Sequence, residues 1–332
     1  MHQHQLAAVD GDGQPSRGLP IGDMRGFGRV GADAALDVLA LDRDVGMLRP
    51  SHPERPLLSL HMDGDVAWTA AYVPGTNVLE TVGQADGAEL RVADFMAVAE
   101  GRPGQPEAVA AGRFIRIISC TEGEASFRVA CAANLSQAGK TEARAEDGWH
   151  LACSRPLGTG AEVAATHVRL AAGESVAFVL SDAPVQGGPG LVAEALHALG
   201  DTIHYWTWWS DRCRYKGDDF DARLREALTL KLGCGDGGLL VEAPGAGFAR
   251  APMVEAARAS AAFLSLGYRG ESALLLAQVY QHGLQGSHGR WSFDERFVKT
   301  LESYVLRYGT QGLPDDIRQA FDTPPPDLAT AL

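Results

Sequence analysis

The chain has 332 residues, of which 45% are hydrophobic and 21% are charged, enough apolar material to bury one large core or two ordinary ones. The formal charge of -13 at pH 7 argues against a nucleic-acid or anionic-membrane partner, because phosphate binding needs a concentrated basic surface. Neutral partners such as an oligosaccharide or another small neutral ligand remain compatible with this charge balance.

The first 26 residues are polar and rich in Gly, Pro and Asp, which is typical of a flexible N-terminal segment (1–26) or the approach to a strand. They lack a basic region followed by an apolar run, and no later stretch is apolar enough to cross a bilayer. We therefore expect a cytoplasmic protein. The five cysteines are odd in number and widely spaced, which predicts reduced, buried thiols. We expect neither a metal site nor a cofactor.

Residues 27–186 carry the pattern of an all-β domain. Short apolar or alternating runs are separated by turn formers such as Asp63-Gly64 and Glu122-Gly123, at the spacing of antiparallel strands in a sandwich. Ten strands are predicted, at 34–41, 57–61, 66–73, 77–82, 89–96, 113–120, 126–131, 149–153, 167–170 and 175–180.

The hydrophobic period changes from two to about 3.6 at the Gly-Gly-Pro-Gly segment 187–190, which indicates a change to helices. We predict a linker helix within 187–218, a helical domain at 219–322 and a tail at 323–332. Helices are expected at 191–213, from about 220, at 253–266 and at 271–282. A last helix is expected from Ser292, where Glu295 completes a capping box, to a stop at Gly309.

Three stretches carry a family resemblance. Residues 72–81 read YVPGTNVLET and residues 90–96 read LRVADFM; residues 205–209 read YWTWW, followed by Tyr215 and Gly217; and residues 225–232 read REALTLKL, followed by GLLVEAP at 238–244. These stretches resemble the sandwich signature, linker helix and first barrel helix of glycoside hydrolase family 15, the glucoamylase/trehalase-like family. The resemblance implies an antiparallel super-β-sandwich followed by helices of an (α/α)-barrel.

Other features depart from that family. Its R-N-W-D-Y-R and W-x-R-D sugar-subsite motifs have no counterpart in the segment GAGFARAPMVEA at 245–256. About 88 residues follow Pro244, whereas twelve helices of ~11 to 12 residues with their connections need far more chain. We therefore expect a truncated, barrel-like helical domain, and the catalytic glutamates of the family have no matching positions here.

Inverting hydrolysis needs two carboxyl groups ~6.5 to 9.5 Å apart, one of them protonated. The helical candidates are Glu242, Glu255, Glu271, Asp294 and Glu295. Four of them lie near predicted helix starts, where acids stabilise the helix dipole. Glu242 is the weak catalytic candidate, because it replaces a small residue in the loop that borders the cleft of the family.

The substrate-binding candidates are Trp208, Tyr215, Glu242 and Arg250. Aromatic rings stack on sugar faces. The alternative interpretation is that the aromatic cluster packs the linker helix, because Trp206, Trp209 and Cys213 share a helical spacing.

Three functions remain open at this point. One is a degenerate, non-hydrolytic relative that binds a carbohydrate or protein partner. The second is a shortened or repurposed enzyme acting in a pocket between sandwich and helices. The third is a subunit that completes a barrel with another chain. An incomplete helical layer exposes apolar flanks, so the first and third hypotheses predict a homo-oligomer or a partner contact through the helical domain.

Overall fold

A computed structural model describes most of the chain. The described residues are 18–42, 47–48, 50, 55–85, 87–101, 108–133, 135–137, 139–145, 148–159, 164–235, 253–285, 295–310, 313 and 317–318. They form a mixed β and α structure with two compact units, one up to Trp208 and one from Trp209 onwards. The unit boundary therefore falls inside the predicted linker helix.

The first unit consists mainly of antiparallel strands. The described strands are β1 (Leu19–Gly22), β2 (Phe27–Val30), β3 (Leu36–Ala40), β4 (Leu58–Met62), β5 (Ala67–Tyr72), β6 (Leu79–Ala85), β7 (Ala88–Glu100), β8 (Ala108–Glu122), β9 (Glu124–Cys131), β10 (Leu135–Gln137), β11 (Glu142–Ala145), β12 (His150–Cys153), β13 (Gly158–Thr159), β14 (Ala164–Ala171) and β15 (Ser175–Ser181).

These strands form two sheets. One has seven strands in the order β1-β2-β3-β4-β9-β14-β13, and the other has eight in the order β10-β11-β12-β15-β8-β7-β6-β5. Buried side chains of both sheets share one apolar cluster, in which Leu60 and Phe127 of the first sheet join Leu90 and Phe114 of the second. The alternation of buried and exposed residues along β9 and β14 follows from the period of two in a strand with one solvated face.

All ten predicted strands coincide with observed strands, and the prediction of a β-rich first half is confirmed. Five short strands were not predicted: β1, β2, β10, β11 and β13. Strand β1 lies inside the segment 1–26 that was predicted to be flexible, so the sheet begins earlier than expected. Residues 1–17 lie outside the described part of the chain.

The signature segment 72–81 covers the end of β5, a turn and the start of β6. Gly75 has a φ of 71°, a conformation that favours glycine. The buried Thr76 hydroxyl donates to the Val73 carbonyl (2.8 Å) and accepts from the Val78 N–H (3.1 Å). These bonds satisfy backbone groups within the turn, a role that the hydroxyl of Thr76 provides.

The second signature segment contains a buried ion pair. Asp94 on β7 lies opposite Arg116 on β8, and both side chains are fully buried. Their two hydrogen bonds measure 2.7 and 2.8 Å, and Arg116 also donates to the Ala34 carbonyl at 2.6 Å. The pair joins the second sheet to the β2–β3 connection. Because a buried charge is costly without its partner, these two residues depend on each other.

The described helices are α1 (Leu191–Ser210), α2 (Phe220–Gly233), α3 (Met253–Leu266), α4 (Arg269–Gln285) and α5 (Glu295–Tyr308). The first part of α1 packs on the outer face of the eight-stranded sheet, where Leu191 and Ala195 join Phe95 and Ile117. The Val98 N–H donates to the Thr202 hydroxyl at 3.2 Å. The sheet is thus covered by the other sheet on one face and by α1 on the other.

The second unit contains α2 to α5. Helices α3 and α4 form a hairpin through Gly267, whose φ is 93°, and the Ser260 hydroxyl donates to the Ser272 carbonyl at 2.9 Å. The predicted apolar stripe of α5 is buried at Phe297, Leu301 and Tyr304. Gly309 has a φ of 66° and ends α5 as predicted. The expected cap at Ser292 and the tail 323–332 lie outside the described residues.

All five cysteines are free and buried, as predicted. Burial raises the pKa of the Cys131 thiol to about 11 and that of Cys153 to about 12. Both thiols therefore stay protonated, and poorly nucleophilic, at neutral pH. Among the helices of the described residues, none combines the length and apolar character that crossing a bilayer requires.

Candidate functional site

The polar centre of the helical unit is formed around Trp209, at the C-terminal end of α1. The Trp209 ring is fully buried and stacks on the Tyr268 ring, with the centroids 4.1 Å apart and the planes 7° from parallel. Phe263 meets both rings edge-on, at 6.4 and 6.0 Å. This aromatic cluster brings together the end of α1, helix α3 and the residue that precedes α4.

The carboxylate of Glu271 lies against this cluster. Its Oε1 accepts a hydrogen bond of 2.6 Å from the Trp209 indole N–H and one of 3.3 Å from the Lys231 ammonium. The Arg212 guanidinium is 3.6 Å from the same oxygen. The side chains of Glu271 and Lys231 are 5% and 12% exposed, so the closest charge pair is largely shielded from water. Glu271 also lies in the first turn of α4, where a negative charge stabilises the helix dipole.

These partners determine the protonation state of Glu271. Burial alone raises the pKa of this carboxyl, but the charge of Lys231, the indole hydrogen bond and the charge of Arg212 outweigh burial and lower its pKa. Glu271 is therefore ionised at neutral pH. Burial also raises the pKa of Tyr268, whose hydroxyl thus stays protonated and lies 3.5 Å from the Ser210 carbonyl.

The predicted binding residues have different positions in the structure. Trp208 is half-buried on α1, with its ring 6.0 Å from the Tyr205 ring. Tyr215 is half-buried after α1, and its hydroxyl donates to Asp219 at 2.5 Å, which raises the pKa of Tyr215. Glu242 and Arg250 lie outside the described residues. Trp208 belongs to the sandwich unit and Tyr215 to the helical unit.

The other carboxylate candidates have ordinary roles where the structure describes them. Glu255 lies in the first turn of α3 and pairs with Arg258 at 2.5 Å, with both side chains 49% exposed. The side chains of Asp294 and Glu295 are outside the described part of the chain. Glu271 is thus the buried carboxylate of the helical unit, within the residues that the structure describes.

Sequence reasoning identified Glu271 as a helix-start acid but missed its two cationic partners. Lys231 is separated from Glu271 by 40 positions and Arg212 by 59, so no local pattern links them. The one available signal was that Lys231 lies between Leu230 and Leu232 near the end of a helix. Because a buried acid needs a buried cation, a lysine between apolar residues was a candidate partner for Glu271.

No family model matches this sequence, and no curated protein is significantly similar to it. The resemblance to glycoside hydrolase family 15 therefore depends on the motifs alone.

The chemistry available to the cluster follows from its charges. An ionised carboxylate held by two cations and an N–H group lacks the proton that a general acid donates to a leaving group. Its hydrogen bonds connect Trp209, Lys231 on α2 and Glu271 on α4, all within the helical unit. The cluster therefore holds elements of this unit together.

Proposed function

We propose that this protein is a non-hydrolytic relative of the glucoamylase/trehalase-like enzymes and that it binds a neutral oligosaccharide. The observation that carries the non-hydrolytic part is the surroundings of Glu271, whose Oε1 contacts the Trp209 indole N–H and the cations of Lys231 and Arg212. Glycoside hydrolysis requires one protonated carboxyl and one ionised carboxyl. Burial raises the pKa of Glu271, but these partners outweigh burial and lower it, so Glu271 does not fit the role of the protonated acid.

Two aromatic side chains support a role in sugar binding. Trp208 and Tyr215 are half-buried, so each keeps part of its ring exposed. An indole or phenol ring offers a sugar an apolar face together with a polar edge. The hydrogen bond from Tyr215 to the exposed Asp219 fixes the orientation of the phenol ring. The acidic balance of the chain does not hinder a neutral ligand.

The first test measures hydrolysis and binding on the same purified chain. We expect no release of glucose from maltose or trehalose, together with saturable binding of maltotriose or trehalose by isothermal titration calorimetry. Release of glucose at a rate proportional to protein concentration would refute the non-hydrolytic proposal.

Substitutions of Trp208 and Tyr215 test whether each ring contributes to the affinity for oligosaccharide. Trp208→Ala and Tyr215→Ala are expected to weaken oligosaccharide binding at least tenfold, because each removes a stacking ring. The matched controls Trp208→Phe and Tyr215→Phe keep an aromatic ring and should retain most of the affinity. Tyr215→Phe also removes the hydrogen bond to Asp219, so it separates ring stacking from that bond. Because Trp208 belongs to the sandwich unit and Tyr215 to the helical unit, each ring is assessed separately, and an alanine variant with the affinity of the parent protein would contradict a binding role for that ring.

A further inference from the structure

Basic side chains form a row across the solvent face of the seven-stranded sheet. The register of β4, β9 and β14 places His61 opposite Arg128, and Arg128 opposite His167. All three side chains are exposed, and Arg169 follows two residues along β14 on the same face. We refer to these four residues, together with the exposed Arg155, as the basic strip.

The basic strip is unusual for this chain. Acidic residues outnumber basic ones by 42 to 29, so a random surface patch is more often acidic than basic. Within the described part of the chain, the carboxylate that pairs with the strip is Glu124, which contacts Arg169. Arg128 and Arg155 make no ion pair with any described residue.

A pocket of about 380 Å³ lies beside the strip. Its walls include Arg155, His167 and Arg169. Pro156, which precedes β13, and Gly158 of β13 also line it. The volume lies at the lower end of the ~300 to 1,000 Å³ range of small-molecule sites.

The pocket wall is held in place by the fold. The hydroxyl of the buried Thr166 on β14 donates to the Pro156 carbonyl at 2.9 Å. This bond ties the segment that carries Arg155 to the strand that carries His167 and Arg169. The three basic side chains therefore extend from backbone segments whose relative position is fixed before a ligand arrives.

We propose that this pocket binds the phosphate group of a small phosphorylated molecule. A guanidinium presents parallel N–H donors that match the oxygens of a phosphate, and arginine is favoured wherever such planar recognition matters. The pocket is lined by two guanidinium-bearing residues, Arg155 and Arg169, and by His167, and Arg128 lies opposite His167 on the neighbouring strand β9. This site uses residues of the sandwich unit alone and does not depend on the proposed oligosaccharide site.

The test is calorimetric titration of the full chain with inorganic phosphate, glucose 6-phosphate and glucose at constant ionic strength. We expect saturable binding of both phosphate compounds with a stoichiometry of one, and no comparable binding of glucose. Binding of glucose as strong as that of glucose 6-phosphate, or no saturable binding of either phosphate compound, would overturn the proposal.

Variants assign the binding to the pocket. Arg155→Gln and Arg169→Gln should each weaken the binding of phosphate about fivefold or more, and the double variant about twentyfold or more, because each removes a guanidinium that lines the pocket. Arg144→Gln is the matched control, because Arg144 is also an exposed strand arginine but lies on β11 in the other sheet. It should change the affinity less than twofold. Both test positions are exposed, so folding is checked simply by circular dichroism. An equal effect at Arg144, or none at the two test positions, contradicts the assignment.

Discussion

Asp23 provides a quantitative test of the fold, because it is a fully buried carboxyl in the turn between β1 and β2. Its Oδ1 accepts hydrogen bonds from the backbone N–H groups of Arg25 (3.1 Å) and Gly26 (2.6 Å). Its Oδ2 is buried and has no hydrogen-bond partner within the described residues. Burial raises the pKa of Asp23 to about 6 from an ordinary value of 3.8, although the two hydrogen bonds and the charge of Arg25 oppose the increase.

The sign of the resulting pH dependence is fixed by linkage. A carboxyl whose pKa is higher in the folded state binds its proton more tightly there, so protonation favours folding. This contribution is fully present below pH 3.8 and is lost as the pH rises through about 6. A difference of about two pH units between the folded and unfolded pKa values corresponds to ~3 kcal/mol of folding free energy.

The perturbation is Asp23→Asn, which keeps the Oδ1 acceptor and the shape but cannot ionise. The free energy of unfolding is measured by urea titration at intervals from pH 3.5 to 7.5. Relative to the parent protein, the variant should gain about 3 kcal/mol between the two ends of this range. The comparison cancels any constant cost of burying the new amide. Parallel profiles for Asp23→Asn and the parent protein would refute the reasoning.

Two further substitutions test the two buried ion pairs. Asp94→Asn leaves the Arg116 guanidinium buried without its counter-charge and should cost about 3 to 5 kcal/mol of unfolding free energy in urea titrations. The double variant Asp94→Leu with Arg116→Met removes both charges and should recover much of this loss. A loss below about 1 kcal/mol in Asp94→Asn would contradict the pairing. Lys231→Met removes the closest cation from Glu271 and should lower the free energy of unfolding by about 1.5 to 3 kcal/mol. The fluorescence of the Trp209 indole, which donates to Glu271, should change as well. Unchanged stability and emission would show that the carboxylate does not need the lysine.

Strands and helices were predictable because their signals are local. The ten predicted strands alternate apolar and polar residues or form apolar runs, and helix α3 was predicted with both of its ends correct. Nine of the ten have at least five residues, whereas the missed strands have two to four, which leaves little room for a period to be recognised. The four-residue β12 was predicted from its apolar run. Strand β1 also contains Pro20, which weakens a strand signal, although its place at the sheet edge tolerates proline.

The proposed binding surfaces could not be predicted from local sequence patterns, because they depend on strand order and helix packing. His61, Arg128 and His167 are separated by 67 and 39 positions and meet only because β9 lies between β4 and β14. Each of them occupies an ordinary outward position in its own strand, so the sequence pattern gives no sign that the three positions adjoin. The argument from net charge concerned a nucleic-acid or anionic-membrane partner, and a sum over 332 residues does not report where individual charges lie.

The buried carboxylates of the described residues are each explained by contacts within their own unit. Asp94 pairs with Arg116 on the neighbouring strand, Glu271 contacts Lys231 and Arg212, and Asp23 accepts backbone N–H groups in a turn. Their protonation differs because burial and pairing are balanced differently. Burial raises the pKa of Asp94 in spite of Arg116, whereas the partners of Glu271 outweigh burial and lower its pKa. The direction of a pKa shift at a buried acid therefore depends on how many partners stabilise its charge, and a buried carboxyl in this fold is accounted for by its structural contacts.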